Sequence, residues 1–302
     1  MPFTLLQIVE QTTNELGITE PASVIGNTDE QVVQLLALTN RVGWDLGRSY
    51  EWRRLVKENV FETTAASTAN GLVSSANTIT GITAPTSATA MIVSGLKIPD
   101  WAEVVTVSGT TITLNVSCSG TATATTTCTF ARQDFDLPSD FQRQISRTQW
   151  SRSDRWPNLG PKSPQEWQWL KAGTISTGPR YRYRIYRNKI RVSPAPTDRR
   201  IFANEYVSDQ WVIASANTEP SKTRFTLDTD TCIYPDDIMV LGLKYQWYKT
   251  KGLDFAVPLL EFSTALSSAK AQDQDNPNLS LSPEPVPFLI GVQNIQDGDF
   301  PS

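Results

Sequence analysis

The stretch Glu103–Thr129, EVVTVSGTTITLNVSCSGTATATTTCT, sets the fold class of this 302-residue chain. Apolar and polar residues alternate along it, and glycines separate the alternating runs. A period of two is typical of half-buried β-strands, and glycine marks the turns between them. In the wider segment 63–129, Ser and Thr supply 26 of the 67 residues. We therefore predict that this segment is a small all-β module of five or more short strands, inserted into the chain.

Helical patterns precede this module. Residues Thr4–Leu16 and Thr28–Arg54 each carry an apolar stripe and begin with a capping box, which predicts two helices. Gly43 and Gly47 are four residues apart in the second helix and predict a close approach of another helix or backbone. The predicted buried stripe of this helix consists of Val32, Leu35, Leu36, Thr39, Val42 and Leu46.

Helical patterns also follow the β-rich part of the chain. The run Tyr234-Pro235-Asp236-Asp237 is a start signal, because proline suits the first helical position and carboxylates favour a helix N-terminus. A second helix is expected after Gly252, with Pro258 either kinking it or lying in its first turn. The predicted inward side chains are Ile238, Leu241, Tyr245 and Tyr248 in the first helix and Leu260, Ala265, Leu266 and Ala269 in the second.

Composition excludes several classes of site. The chain has no histidine, which removes Ser-His-Asp and Cys-His catalysis and every histidine-ligated metal site. Cys118, Cys128 and Cys232 fit no zinc spacing, and we expect free thiols. No apolar run reaches the ~20 residues of a membrane-spanning helix, and the N-terminus lacks the pattern of a secretory signal. We expect a protein without cofactor or metal that is made in a cytoplasm.

Carboxylates are the acid–base groups that remain. Glu166, Glu205 and Asp209 are the acids available for paired-carboxylate chemistry such as glycoside hydrolysis. Glu166 also fits the third position of a capping box, and Glu205 and Asp209 can pair with nearby arginines. No other pattern supports catalysis, so we expect a non-enzyme without catalytic residues.

The basic stretch Arg180–Val192, RYRYRIYRNKIRV, alternates arginines with aromatic and apolar residues. It predicts a β-hairpin with a tight turn around Asn188-Lys189 and one apolar face. The other face is a row of guanidinium groups. Two kinds of partner fit this face: nucleic-acid phosphates, contacted without reading the base sequence, and another charged surface. This basic face consists of Arg180, Arg182, Arg184 and Arg191.

Charge is distributed unevenly along the chain. Residues 132–200 hold 15 Lys and Arg against 6 Asp and Glu, whereas residues 201–302 hold 6 against 14. Such opposite balances suit a chain that packs against copies of itself or a charged partner, and they equally suit two ordinary solvated faces. The segment 273–302 holds five prolines, five acids and no base, yet it carries apolar residues that predict docking on a partner. These apolar residues are Val286, Phe288, Leu289 and Ile290.

Five segments, in their order, resemble the head-to-tail adaptor proteins of tailed bacteriophages, in particular the tail tubular protein A group of short-tailed phages. They are LLALTNRVGWDLGRSYEW, DFDLPSDFQRQISRTQW, GPKSPQEWQWLKAG, KIRVSPAPTDRRIFANEYVSDQW and YPDDIMVLGLKYQWYKTKGLDFAVPLLEFSTALSSAKAQ. The resemblance covers Thr4–Glu62 and Phe130–Gln272, and it depends on the order of the segments rather than on a single motif. The inserted module and Pro258 depart from the family pattern.

The resemblance implies an α+β fold in which the N- and C-terminal helices form a helical bundle beside a central β-rich domain. The expected domains are 1–62 for the N-terminal helices, 63–129 for the inserted module, 130–233 for the central β-domain, 234–272 for the C-terminal helices and 273–302 for an extended tail.

The resemblance also implies a function. Such adaptors form a ring of twelve copies beneath the portal protein, seat a tail nozzle of the tail tubular protein B kind, and let double-stranded DNA pass during retention and ejection. The expected location is the head-to-tail interface of the virion, and the host cytoplasm during assembly. The C-terminal segment 273–302 is expected to dock on the portal protein. The arginine face then meets a neighbouring subunit, because a dense basic lumen would hold DNA. Alternatives are an adaptor with peptidoglycan hydrolase activity and a tail protein that binds a surface receptor or glycan.

Overall fold

A computed structural model of the chain describes residues 2–172 and 180–273. In these ranges the fold is mixed α+β, with five α-helices and several sheets. The contacts between residues divide the chain into two units. The first unit contains residues 2–57, 140–144 and 206–273, and the second contains residues 58–139, 145–172 and 180–205.

Four of the five helices belong to the first unit. The helices are α1 (Leu5–Leu16), α2 (Glu30–Ser49), α3 (Pro164–Ala172), α4 (Asp236–Lys251) and α5 (Ala256–Asp273). The capping box of Thr4 and Gln7 and the left-handed Gly17 at the end of α1 are as predicted. Within the described ranges, no helix combines the length and the apolar character needed to cross a membrane.

Helix α2 differs from its prediction at both ends. Asp29 caps it in place of Thr28, because the Asp29 carboxylate accepts a hydrogen bond from the Gln31 backbone N–H at 2.9 Å. The helix ends at Ser49, before the predicted Arg54, because the backbone becomes extended at the next residue. The helix is therefore shorter at both ends than the sequence pattern predicted.

The buried face of α2 is organised around Gly43. Leu38 is buried there in place of the predicted Leu36, and the other five predicted positions are buried. A Cβ added to Gly43 would lie 2.2 Å from Cη2 of Trp211, and one added to Gly47 would lie 2.9 Å from the hydroxyl of Tyr234. At these glycines, aromatic side chains therefore make the close approach that was predicted for a helix or backbone.

Helix α4 packs against α1, α2 and α5. Pro235 is its N-cap residue rather than its first helical residue. Because α4 has neighbours on several sides, a single stripe does not describe its buried surface. Ile238 is buried as predicted, but Leu241, Tyr245 and Tyr248 are only half-buried. The buried residues of α4 are Ile238, Met239, Val240, Gly242, Leu243, Gln246 and Trp247.

Helix α5 follows its prediction only in part. Pro258 lies in its first turn, which is one of the two predicted placements. Ala269 is buried as predicted, whereas Leu260 is 66% exposed. The apolar residues of α5 occupy successive positions around the helix, so their spacing could not identify the inner side.

Strands form the remaining regular structure. The strands are β1 (Val56–Glu62), β2 (Ser67–Val73), β3 (Thr78–Thr80), β4 (Ile92–Ser94), β5 (Ala102–Ser108), β6 (Thr111–Leu114), β7 (Thr126–Ala131), β8 (Asp134–Asp136), β9 (Phe141–Gln144), β10 (Trp150–Ser151), β11 (Trp156–Pro157), β12 (Arg182–Tyr186), β13 (Lys189–Ser193), β14 (Ile201–Ser208), β15 (Val212–Ile213), β16 (Pro220–Lys222) and β17 (Thr231–Cys232). A five-stranded sheet has the order β1-β14-β10-β11, with β9 also paired to β14, and the three-stranded sheets have the orders β12-β13-β8 and β16-β15-β17.

The Ser/Thr-rich segment, for which five or more strands were predicted, forms a closed barrel of six strands. Their order is β2-β3-β6-β5-β4-β7, and every pairing is antiparallel. The residues that alternate inward, among them Val73, Ile79, Val93 and Ile112, fill its core. All three cysteines are free thiols and are buried.

Candidate functional site

The basic stretch folds into a β-hairpin of β12 and β13. Its two-residue turn is Arg187-Asn188, one residue earlier than predicted, with φ values of 50° and 57°. Two successive left-handed residues form the tight turn whose twist matches that of the strands. Tyr183, Ile190 and Val192 are fully buried on one face. This apolar face of the hairpin therefore closes a core in the second unit, as predicted.

The opposite face carries the basic residues. Strand pairing places Arg182 opposite Ser193 and Arg184 opposite Arg191. Tyr186 lies on the same face, with three guanidinium carbons 4.8, 5.1 and 5.3 Å from its ring centroid. Contact with the negative face of the ring offsets part of the repulsion between these like charges. The three guanidinium groups belong to Arg184, Arg187 and Arg191.

Strand β8 brings two carboxylates to this face. Asp134 lies opposite Arg191, and Asp136 lies opposite Lys189. Nε and Nη2 of Arg191 each donate to a different oxygen of Asp134 at 2.6 Å. The ammonium of Lys189 lies 2.9 Å from Asp136. Arg191 of the basic face and the nearby Lys189 are therefore neutralised within the chain.

Glu103 of β5 extends these ion pairs into a network. It accepts hydrogen bonds from Gln133 at 2.9 Å, Lys171 at 3.1 Å and Arg191 at 3.3 Å. Burial raises the pKa of Glu103, but the Gln133 hydrogen bond and the charges of Lys171 and Arg191 hold it below its ordinary value. The hydrogen bonds to Asp134 raise the pKa of Arg191. The network joins the barrel, α3 and the hairpin.

The stability of the second unit should depend on pH through Glu103. Its pKa in the folded chain lies below the ordinary value of 4.5. Its contribution to stability is therefore complete above that value and disappears as the pH falls through the folded pKa. Glu103→Gln should lose less stability than the native chain between pH 6 and pH 3, as measured by urea denaturation. Equal losses of stability in Glu103→Gln and in the native chain would contradict this role of Glu103. The control is Glu20→Gln, which removes a carboxylate at an exposed position.

The four predicted basic residues have different surroundings. Arg182 and Arg184 lie on one face of the hairpin, and Arg191 is held by the acidic residues of the network. The guanidinium carbon of Arg180, just before β12, lies 5.2 Å from the ring centroid of Trp156. Contact of this face with another subunit or with DNA stays a prediction. The predicted docking residues Val286, Phe288, Leu289 and Ile290 lie outside the described residues.

Sequence reasoning missed the acidic members of the network. The alternation of Asp134 and Asp136 around Phe135 was a usable signal, because it has the period of a strand with one acidic face. Glu103 carried no local signal, since it lies 88 residues from Arg191 along the chain. Only the tertiary fold brings these two side chains together.

The three carboxylates considered for acid–base chemistry have separate roles in the structure. Glu166 caps α3 by accepting the Ser163 backbone N–H at 3.0 Å, and this hydrogen bond lowers its pKa. Glu205 is exposed on β14. Burial, followed by the charge of Asp140, raises the pKa of Asp209. Across residues 2–172 and 180–273, no group of three or more His, Cys, Asp or Glu side chains could hold a metal ion.

The hairpin thus presents a charged surface with its ion pairs arranged across three strands. Arg184 lies opposite Arg191, and the acids that pair with Arg191 come from β5 and β8. In comparisons with known proteins, no protein-family model matches the chain, and no curated protein matches its sequence.

Proposed function

We propose that the chain is a structural virion protein that forms the adaptor ring between the portal protein and the tail nozzle of a short-tailed bacteriophage. One packing arrangement in the first unit carries this proposal. There α4, from the C-terminal part of the chain, packs against α1 and α2 from the N-terminal part. A bundle made from both ends of the chain is what the resemblance implies for an adaptor. The β-rich second unit then supplies the central domain and the inserted module.

The uneven charge supports contact between copies. Residues 132–200 are strongly basic and residues 201–302 are acidic. Copies arranged head to tail in a ring can place the basic segment of one against the acidic segment of the next, which gives complementary potentials at each interface. We assign Arg182 and Arg184 to this contact. The ring itself would then be the conduit for DNA.

Imaging the purified chain mixed with its portal protein by electron microscopy tests the proposal. We expect a ring of twelve copies seated on the portal. Removing residues 273–302, which include the four apolar docking residues, should abolish attachment to the portal. A chain that stays monomeric and ignores the portal would contradict the adaptor function.

Charge reversal tests the role of the hairpin face in the same assay. Arg182→Glu with Arg184→Glu should prevent ring assembly, because two attractive contacts become repulsive at every interface. The control is Arg54→Glu, at an exposed position outside the basic segment 132–200. Intact rings with altered DNA retention would instead assign the hairpin face to DNA.

A further inference from the structure

An apolar patch lies at the start of α5, in the first unit. Five large hydrophobic side chains are exposed between residues 253 and 260, and the most exposed of them, Leu260, is 66% exposed. Val257 and Leu260 are three positions apart in α5, so they are neighbours on the helix surface. Contiguous exposed apolar residues mark binding surfaces. The residues of this α5 patch are Leu253, Phe255, Val257, Leu259 and Leu260.

The packing of α5 leaves the α5 patch uncovered. The helix packs against α4, and in its first turn Pro258 is the buried residue. Val257, next to Pro258, is 61% exposed. The described part of the chain therefore leaves these side chains in contact with water, at a free-energy cost that grows with the apolar area exposed.

The size of the α5 patch favours a short segment over a second folded copy as its partner. A standard interface between two proteins uses about 20–30 residues on each side. The α5 patch has only five residues, which is too few to hold two separate copies together. A segment tethered to the same chain needs much less contact, because the tether raises its effective concentration to about the millimolar range.

The chain contains a suitable segment beyond α5. Residues 286–290 have the sequence VPFLI, without a charged or polar side chain. One aromatic and three aliphatic side chains in this run can leave water together with those of the α5 patch. These four residues, Val286, Phe288, Leu289 and Ile290, are the docking residues predicted from the sequence.

The place where α5 ends lets this segment reach the α5 patch. The carboxylate of Asp273 accepts a hydrogen bond from the Arg53 backbone N–H at 3.1 Å, which fixes the end of the helix. From Asp273 back to Leu260 the helix measures about 20 Å. The chain from Asp273 to Val286 can span up to about 43 Å. The exposed α5 residues along this path have short side chains and leave room for a second chain: they are Ser263, Thr264, Ser267 and Ser268.

We propose that the α5 patch is the docking surface for residues 286–290 of the same chain. The free chain then keeps its docking residues covered until the portal protein competes for them. The contact forms within one chain and needs no portal. Its test can therefore fail while the adaptor function stands, and the reverse also holds.

A disulfide between introduced cysteines tests this contact in the full-length chain, whose three native cysteines are buried. Leu260→Cys with Leu289→Cys should form an intramolecular disulfide at least about tenfold faster than Leu227→Cys with Leu289→Cys. Leu227 is also exposed in the first unit, but it lies beside the start of α1, where the Leu6 backbone N–H donates to Asp228. Equal rates for the two pairs, or a disulfide between two chains, would overturn the proposal.

Alkylation by iodoacetamide tests the same contact from the side of the helix. The thiol of Leu260→Cys should react about tenfold faster when Phe288→Asp and Leu289→Asp are added, because the loss of docking uncovers it. The control adds Ile295→Asp and Phe300→Asp, which make the same change of charge outside residues 286–290, and should leave the rate unchanged. An unchanged rate in the first variant, or the same acceleration in the control, would show that residues 286–290 do not cover the α5 patch.

Discussion

Gly43→Ala should destabilise the first unit by about 3 kcal/mol, although alanine is the better helix former. The added methyl would lie 2.2 Å from Cη2 and 2.3 Å from Cζ2 of Trp211. Carbon atoms pack favourably at about 3.5–4.0 Å, so the indole would have to move by more than an ångström. Trp211 is 1% exposed, so a shift of the indole would disturb the side chains packed around it. Helix propensity alone would favour alanine by about 1 kcal/mol, so the sign of the effect separates the two causes.

Urea denaturation followed by far-ultraviolet circular dichroism measures this loss. In the background of Trp211→Leu, which removes the aromatic ring, Gly43→Ala should cost less than about 1 kcal/mol. Ala37→Gly, at an exposed site of α2, measures the propensity contribution alone. A neutral or stabilising effect of Gly43→Ala in the native background would refute the close contact with Trp211.

Arg191→Met should destabilise the second unit by about 3–5 kcal/mol. The side chains of Arg191, Asp134 and Glu103 are 14%, 15% and 19% exposed. Methionine keeps much of the apolar stem, so the change removes mainly the charge and the hydrogen bonds. The carboxylate of Asp134 then remains largely out of water without the guanidinium that binds both of its oxygens.

The matched control is Arg184→Met, which lies opposite Arg191 on the same face. Arg184 has no such pair of short hydrogen bonds to a carboxylate among the contacts described above, and its loss should cost less than about 1 kcal/mol. Adding Asp134→Asn to Arg191→Met should restore part of the stability, because it removes the uncompensated charge. Equal effects of the two arginine substitutions in urea denaturation would contradict the dominant role of Arg191.

The parts of the fold that could be predicted from sequence depend on neighbouring residues. The capping boxes of α1 and α3, the left-handed Gly17 and the period of two in the hairpin all result from interactions within a few residues. The turn at Arg187-Asn188 was missed by one residue, because two left-handed residues without glycine are not a strong signal.

The parts that could not be predicted depend on what packs against each element. The inward residues of α4 were misjudged because three helices contact it, and a stripe assumes one neighbour. At the basic face, the alternating arginines were visible in the sequence, but the network partner Glu103 was not.

The barrel has a consequence for how this gene can change. Ser67 of β2 pairs with Phe130 of β7, so the chain enters and leaves the barrel through adjacent antiparallel strands, with Cα atoms about 5 Å apart. A closed barrel also leaves no unpaired strand edge. Recombination can therefore exchange this segment as a cassette, for a longer, shorter or unrelated one, while the two flanking ends keep their spacing. A replacement would also lose Glu103 and its ion pairs with Lys171 and Arg191, so diversity at this point is limited by what the new segment offers to those two cations.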